Sequence, residues 1–103
     1  MTPPEFLLVS LGTCAGYYAK EYLKARGLPT EPLAIKVTGE MRLPARVGRF
    51  QLEVTAPELD AQHQAGLMRA MKACLIHNTL LNPPQIEIAL NAHAGAPLAG
   101  TVA

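Results

Sequence analysis

An α+β fold is the class this sequence predicts. Two stretches carry apolar residues at three- and four-residue steps, three others alternate apolar with polar residues, and they follow the order helix, strand, strand, helix, strand. With 103 residues, half of them hydrophobic, the chain has material for one domain. We place that domain at 1–90 and read 91–103 as a mobile tail rich in Ala and Gly.

The first helix should open at Pro3-Pro4-Glu5, because proline is tolerated in a first turn and an acid there suits the helix dipole. It should run to about Arg26 and stop at Gly27. Leu7, Leu11, Cys14, Tyr18 and Tyr22 recur on one face. A second face carries Gly12, Ala15, Gly16 and Ala19, small enough to admit another backbone closely. Each interior glycine costs about 1 kcal/mol of helix propensity, which points to tight packing there. Leu33, Ile35, Val37 and Met41 then alternate with polar or small residues, and Phe50, Leu52 and Val54 do the same. The short linker Leu43-Pro44-Ala45-Arg46 makes these two strands an antiparallel hairpin. Asp60 can cap a second helix from about Ala61 to Cys74, with His63, Leu67, Ala70, Met71 and Cys74 facing inward. After Asn82-Pro83-Pro84, the segment Gln85 to Leu90 alternates once more as a last strand of the same small sheet. The first helix is apolar around more of its circumference than three strands can cover, which predicts a second copy of the chain as partner.

Composition narrows the function. Nine Lys and Arg against eight Asp and Glu leave +1, too little for a nucleic-acid partner. The longest uncharged apolar run, Phe6 to Ala19, spans 14 residues where a bilayer needs about 20, so no membrane role is expected. Two cysteines and no recognisable leader point to a reducing, cytoplasmic setting. Those cysteines, Cys14 and Cys74, each lie in an apolar helix stripe. Two thiols that meet in a core are the minimum equipment for thiol-based peroxide reduction, one being oxidised and the other closing a disulfide onto it.

Pro4-Glu5-Phe6-Leu7-Leu8-Val9-Ser10-Leu11-Gly12-Thr13-Cys14 resembles the helix opening of the OsmC/Ohr proteins, where a proline and an acid precede an apolar run into the first cysteine. Lys72-Ala73-Cys74-Leu75-Ile76-His77-Asn78-Thr79-Leu80, followed by Pro83-Pro84 and an alternating strand, is similar to that family's second-cysteine motif, and the 60-residue separation of the cysteines is close to the family's. The resemblance implies an OsmC-like fold, with a long central helix and a second helix packed on an antiparallel sheet in an intertwined homodimer. It also implies a thiol peroxidase acting on organic hydroperoxides, with Cys14 peroxidatic, Cys74 resolving and a dithiol reductant resetting the pair. Glu5 and His77 are candidate supporting residues. Neither cofactor nor metal is implied. We expect a shortened form, lacking the β-rich N-terminal segment of the family and the arginine it carries. A funnel of the Leu7, Leu11, Tyr18 and Met71 kind would favour alkyl over hydrogen peroxide.

Each feature has a plainer reading. A lone buried cysteine is commonly a small core hydrophobe, and a histidine at a helix end commonly bonds locally. Cys74, His77 and His63 fall short of a four-ligand zinc set. Tyr17, Tyr18 and Tyr22 read as packing, and Arg42, Arg46 and Arg49 as a solvated edge of the hairpin. The alternative to the enzyme is a truncated, non-catalytic OsmC-like module that dimerises or binds an apolar small molecule.

Overall fold

The computed structural model describes residues 1–92 and 98–102. Helix α1 runs Pro3–Ala25, and the hairpin β1 (Ala34–Arg42) and β2 (Arg46–Thr55) follows. Next come α2 (Ala61–Lys72), α3 (Leu75–Leu81), β3 (Ile86–Leu90) and β4 (Leu98–Val102). The expected α+β class holds.

Local chemistry sets the ends of α1. Thr2 and Glu5 form a capping box, with Thr2 Oγ1 donating to Glu5 Oε1 at 2.8 Å and the Glu5 amide donating to Thr2 Oγ1. At the other end Gly27 takes a left-handed φ of 66°, the Leu28 amide reaches Leu23 O at 2.9 Å and the Gly27 amide reaches Lys24 O at 3.1 Å. This is a Schellman stop, which a side chain at Gly27 would strain. The fully or nearly buried stripe of α1 is Leu11, Ala15, Ala19 and Leu23, spaced by four. Cys14, Tyr18 and Tyr22, expected on that face, are half-buried beside it.

The small-residue face of α1 lies against β1. A methyl group at Gly12 would come within 2.9 Å of Val37 Cγ2, and one at Gly16 within 3.6 Å of Ile35 Cδ1. Strands β1 and β2 pair antiparallel from Ala34↔Thr55 to Arg42↔Arg46, with a register shift after Glu40. Asp60 caps α2 through the His63 amide at 2.8 Å. Leu67 and Met71 of α2 join Ala19 and Leu23 in a core flanked by Tyr22, Leu33, Ile35, Val54 and Leu59.

Two expectations are corrected. Helix α2 ends at Lys72, and Cys74 is not its last inward residue: it takes an extended backbone (φ −55°, ψ 133°) as the N-cap of the separate helix α3. The reversal satisfies its own backbone groups, since the Ala73 amide reaches Arg69 and Ala70 O, Asn78 Nδ2 donates to Ala73 O, and the Asn78 amide donates to Cys74 O. The second correction concerns β3. It does not join the β1–β2 sheet but pairs antiparallel with β4, Ile86↔Val102 to Leu90↔Leu98, in a second two-stranded sheet. Residues 98–102, expected within the mobile tail, thus form a strand, residues 91–92 lie outside any helix or strand, and the rest of that expectation falls on 93–97 and 103, outside the described residues.

Every residue of β3 is exposed, including Ile86, Ile88 and Leu90. With the ribbon standing off the core, the chain measures 62 × 27 × 23 Å.

Candidate functional site: a thiol pair beside an apolar groove

Helix α1 carries Cys14 one turn after buried Leu11, and the α2–α3 break carries Cys74. The break is what lets them meet. A continuous helix would commit the Cys74 side chain to the α2 stripe, whereas the extended N-cap conformation turns it toward α1. Both cysteines are free thiols, Cys74 fully buried and Cys14 partly exposed, and they lie close enough for each to shift the other's ionisation.

The surroundings treat the two sulfurs differently. Burial pushes the Cys14 thiol up, but the hydrogen bond from Cys74 and the backbone N–H groups of Ile76 and Leu75 outweigh it, so its pKa falls below the ordinary thiol value. For Cys74, burial raises the pKa and the bond to Cys14 raises it further, while the amides of His77 and Ile76 oppose only in part. Its sulfur lies over those amides without a cap hydrogen bond of standard geometry. The exposed member is therefore the better thiolate and the buried member the proton holder.

An apolar groove of about 230 Å³ opens one turn away, lined by Leu11 of α1, Phe50 and Leu52 of β2, and His77, Leu80 and Leu81 of α3. Of the funnel expected from sequence, only Leu11 lines it. Met71 belongs to the core, and the rings of Tyr18 and Tyr17 meet edge to face at 5.6 Å. A second groove of about 400 Å³ runs along the other side of α1, lined by Leu8, Val9, Gly12, Thr13, Gly16, Leu33, Ile35 and Val37.

The other sequence candidates are placed as follows. Glu5 sits nine residues before Cys14, about 13 Å along the helix axis, and its carboxylate is held by Thr2, whose hydrogen bonds lower its pKa. It is not brought to the thiols. His77 is, through its amide toward Cys74 and its side chain in the groove. His63 is engaged elsewhere, 3.2 Å from Tyr22 Oη. Of the hairpin arginines, Arg42 pairs with Glu40 at 2.9 Å and Arg49 approaches the same carboxylate at 4.0 Å, both exposed. Among the described residues, no three His, Cys, Asp or Glu gather as a metal site, and no helix is long and apolar enough to cross a membrane. Sequence reading missed the Leu75 and Ile76 amides, which any residue but proline supplies, and the β2 wall of the groove.

An α+β domain with two neighbouring thiols and an apolar groove beside them defines a class of thiol-pair proteins. The family model of OsmC-like proteins matches residues 1–89, and the chain belongs to that family. Comparison with the curated proteins and with solved structures returned no match.

Proposed function

We propose that this protein is a thiol-dependent peroxidase for organic hydroperoxides, acting in the cytoplasm as a homodimer with a dithiol reductant. The observation that carries the reading is the meeting of Cys14 on α1 with Cys74 at the α2–α3 break, one thiol lowered and the other raised. The Cys14 thiolate attacks the terminal peroxide oxygen; an S–O bond forms, the O–O bond breaks, and the departing alkoxide takes a proton to become the alcohol. The Cys74 sulfur then attacks the Cys14 sulfenic acid, closing the disulfide and releasing water. Exchange with the external dithiol restores both thiols. The groove beside the pair supports an alkyl substrate, because five of its six walls are apolar side chains.

Surface area supports the dimer. The chain exposes 7679 Å², whereas a folded monomer of its mass (11.0 kDa) exposes about 5600 Å². Its radius of gyration is 18.2 Å where a domain of this length has about 13 Å. An isolated two-stranded ribbon is marginal in water, so β3–β4 with its exposed Ile86, Ile88 and Leu90 calls for a covering surface. The second copy of the chain is the covering we propose.

One equivalent of cumene hydroperoxide should remove two free thiols per chain, and Cys14→Ser should abolish that response. Unchanged thiol counts in the wild type would sink the enzyme and favour the second reading, a module holding an apolar ligand in the larger groove on the Gly12 side of α1.

A further inference from the structure

The peroxidase chemistry leaves one group unaccounted for. Attack on the terminal oxygen expels an alkoxide, a strong base, at a sulfur one helical turn from Leu11 and the groove it walls with Phe50, Leu52, Leu80 and Leu81. An unpaired charge is severely disfavoured in such surroundings. A proton must therefore arrive as the O–O bond breaks, and a donor held at the groove delivers it faster than bulk water.

The sixth wall residue is His77, which alone among the lining side chains carries a titratable group. It is the third residue of α3, half-buried, one turn beyond Cys74, and its ring has no hydrogen-bond partner among the described residues. The elements around the groove offer no competitor. From α1 only Leu11 lines it; on β2, Arg49, Gln51 and Glu53 alternate with Phe50 and Leu52 onto the opposite face. On α3, Asn78 Nδ2 bonds Ala73 O and Thr79 Oγ1 bonds Leu75 O. Imidazole is also the side chain that ordinarily exchanges a proton near neutral pH.

We infer that His77 is the general acid of the peroxide step, donating its ring proton to the departing alkoxide oxygen. The role rests on the peroxidase reading. Thiolate, hydroperoxide and imidazolium give sulfenic acid, alcohol and neutral imidazole; the O–O electron pair goes to the proximal oxygen, which takes the imidazolium proton, and solvent then reprotonates the ring. Charge and atoms balance without a further reactant.

A leaving group that needs no proton separates this role from a structural one. Single-turnover oxidation of Cys14 is measured with t-butyl hydroperoxide, which expels an alkoxide, and with peracetic acid, which expels a carboxylate of similar size. His77→Gln should slow the alkyl hydroperoxide reaction roughly 100-fold or more, the usual contribution of a positioned acid, and leave the peracid reaction and iodoacetamide alkylation of Cys14 unchanged. His77→Asn, with a shorter amide, should behave the same way. Equal slowing with both oxidants, or no slowing with either, overturns the assignment. Wild-type protein inert to both oxidants would overturn the peroxidase reading itself.

Discussion

Oxidation should make the protein considerably harder to unfold. Joining Cys14 to Cys74 closes a loop of 60 residues containing β1, β2 and α2. In the chain-entropy treatment the loss for the unfolded chain is about 14 cal/mol/K at that length, or about 4 kcal/mol at room temperature. That gain is realised only if the bond forms without displacing α1 or α3. Urea unfolding of peroxide-oxidised and reduced samples at one protein concentration measures it. With a slope of about 1–3 kcal/mol per M, the midpoint should rise by about 1.5–4 M. A non-reducing gel should show the oxidised chain at monomer mass, since the bond lies within one chain. A gain below about 1 kcal/mol, far short of the entropic figure, would mean that the thiols meet only by distorting the native packing. A covalent dimer on the gel would place the redox partner of Cys14 in another copy. The covalent dimer would refute the intrachain pair, and the small gain would refute its unstrained geometry.

Three further outcomes follow from the same geometry. Cys74→Ala removes the thiol that bonds Cys14, so the midpoint of the Cys14 alkylation rate against pH should move up toward the free-thiol value of about 8.5; with less thiolate at pH 7, alkylation slows there, and an unmoved midpoint would show that Cys74 does not hold the thiolate. Gly66→Ala would drive a methyl into Tyr22, within 2.5 Å of Cζ and in overlap with Oη, and should lower stability by about 1–3 kcal/mol despite the better helix former. Gly16→Ala meets Ile35 Cδ1 at an ordinary 3.6 Å and should instead add up to about 1 kcal/mol; thermal melts of the two variants moving in the same direction would contradict the packing described. In sedimentation the wild type should run as a dimer and Ile88→Lys as a monomer, because a charge on the exposed face of β3 harms nothing within one chain.

The elements most legible in the sequence were those whose periodicity and end signals agree. Helix α1 combines a proline-acid opening, an apolar stripe and a glycine stop, and the β1–β2 hairpin alternates on both sides of a short linker. The α2–α3 break was illegible because nothing at 73–74 resembles a breaker. Ala73 favours helix, and Cys74 continues the apolar stripe, so local preference argues for extending the helix; tertiary contact with α1 and capping of Ala73 O by Asn78 decide otherwise. Strand β4 was hidden for the opposite reason. Leu-Ala-Gly-Thr-Val has Ala and Gly at two of its five positions, a weak strand former that pairing with β3 recruits. At the site, the two cysteines announced themselves by type and spacing. The groove did not, because it joins residues from 11, 50–52 and 77–81 that no sequence window contains.

The misread break is also the chemically important feature. A helix carried on through Cys74 would have kept the Leu75 and Ile76 amides bonded to α2 carbonyls and offered Cys14 a thiol and nothing more. Interrupting the helix at Ala73 exposes a new set of unbonded amides, and two of them, on Leu75 and Ile76, face the Cys14 sulfur. Backbone dipoles thereby supply the stabilisation that a cation would otherwise provide, while Arg42 and Arg49 of the hairpin are engaged with Glu40. The same turn of chain buries Cys74 and keeps its proton in place. One local reversal thus creates both halves of the asymmetry. A proline at Ile76, which removes one of the two amides from a helix turn where proline is sterically tolerated, should raise the Cys14 alkylation midpoint while leaving Cys74 in position to close the disulfide.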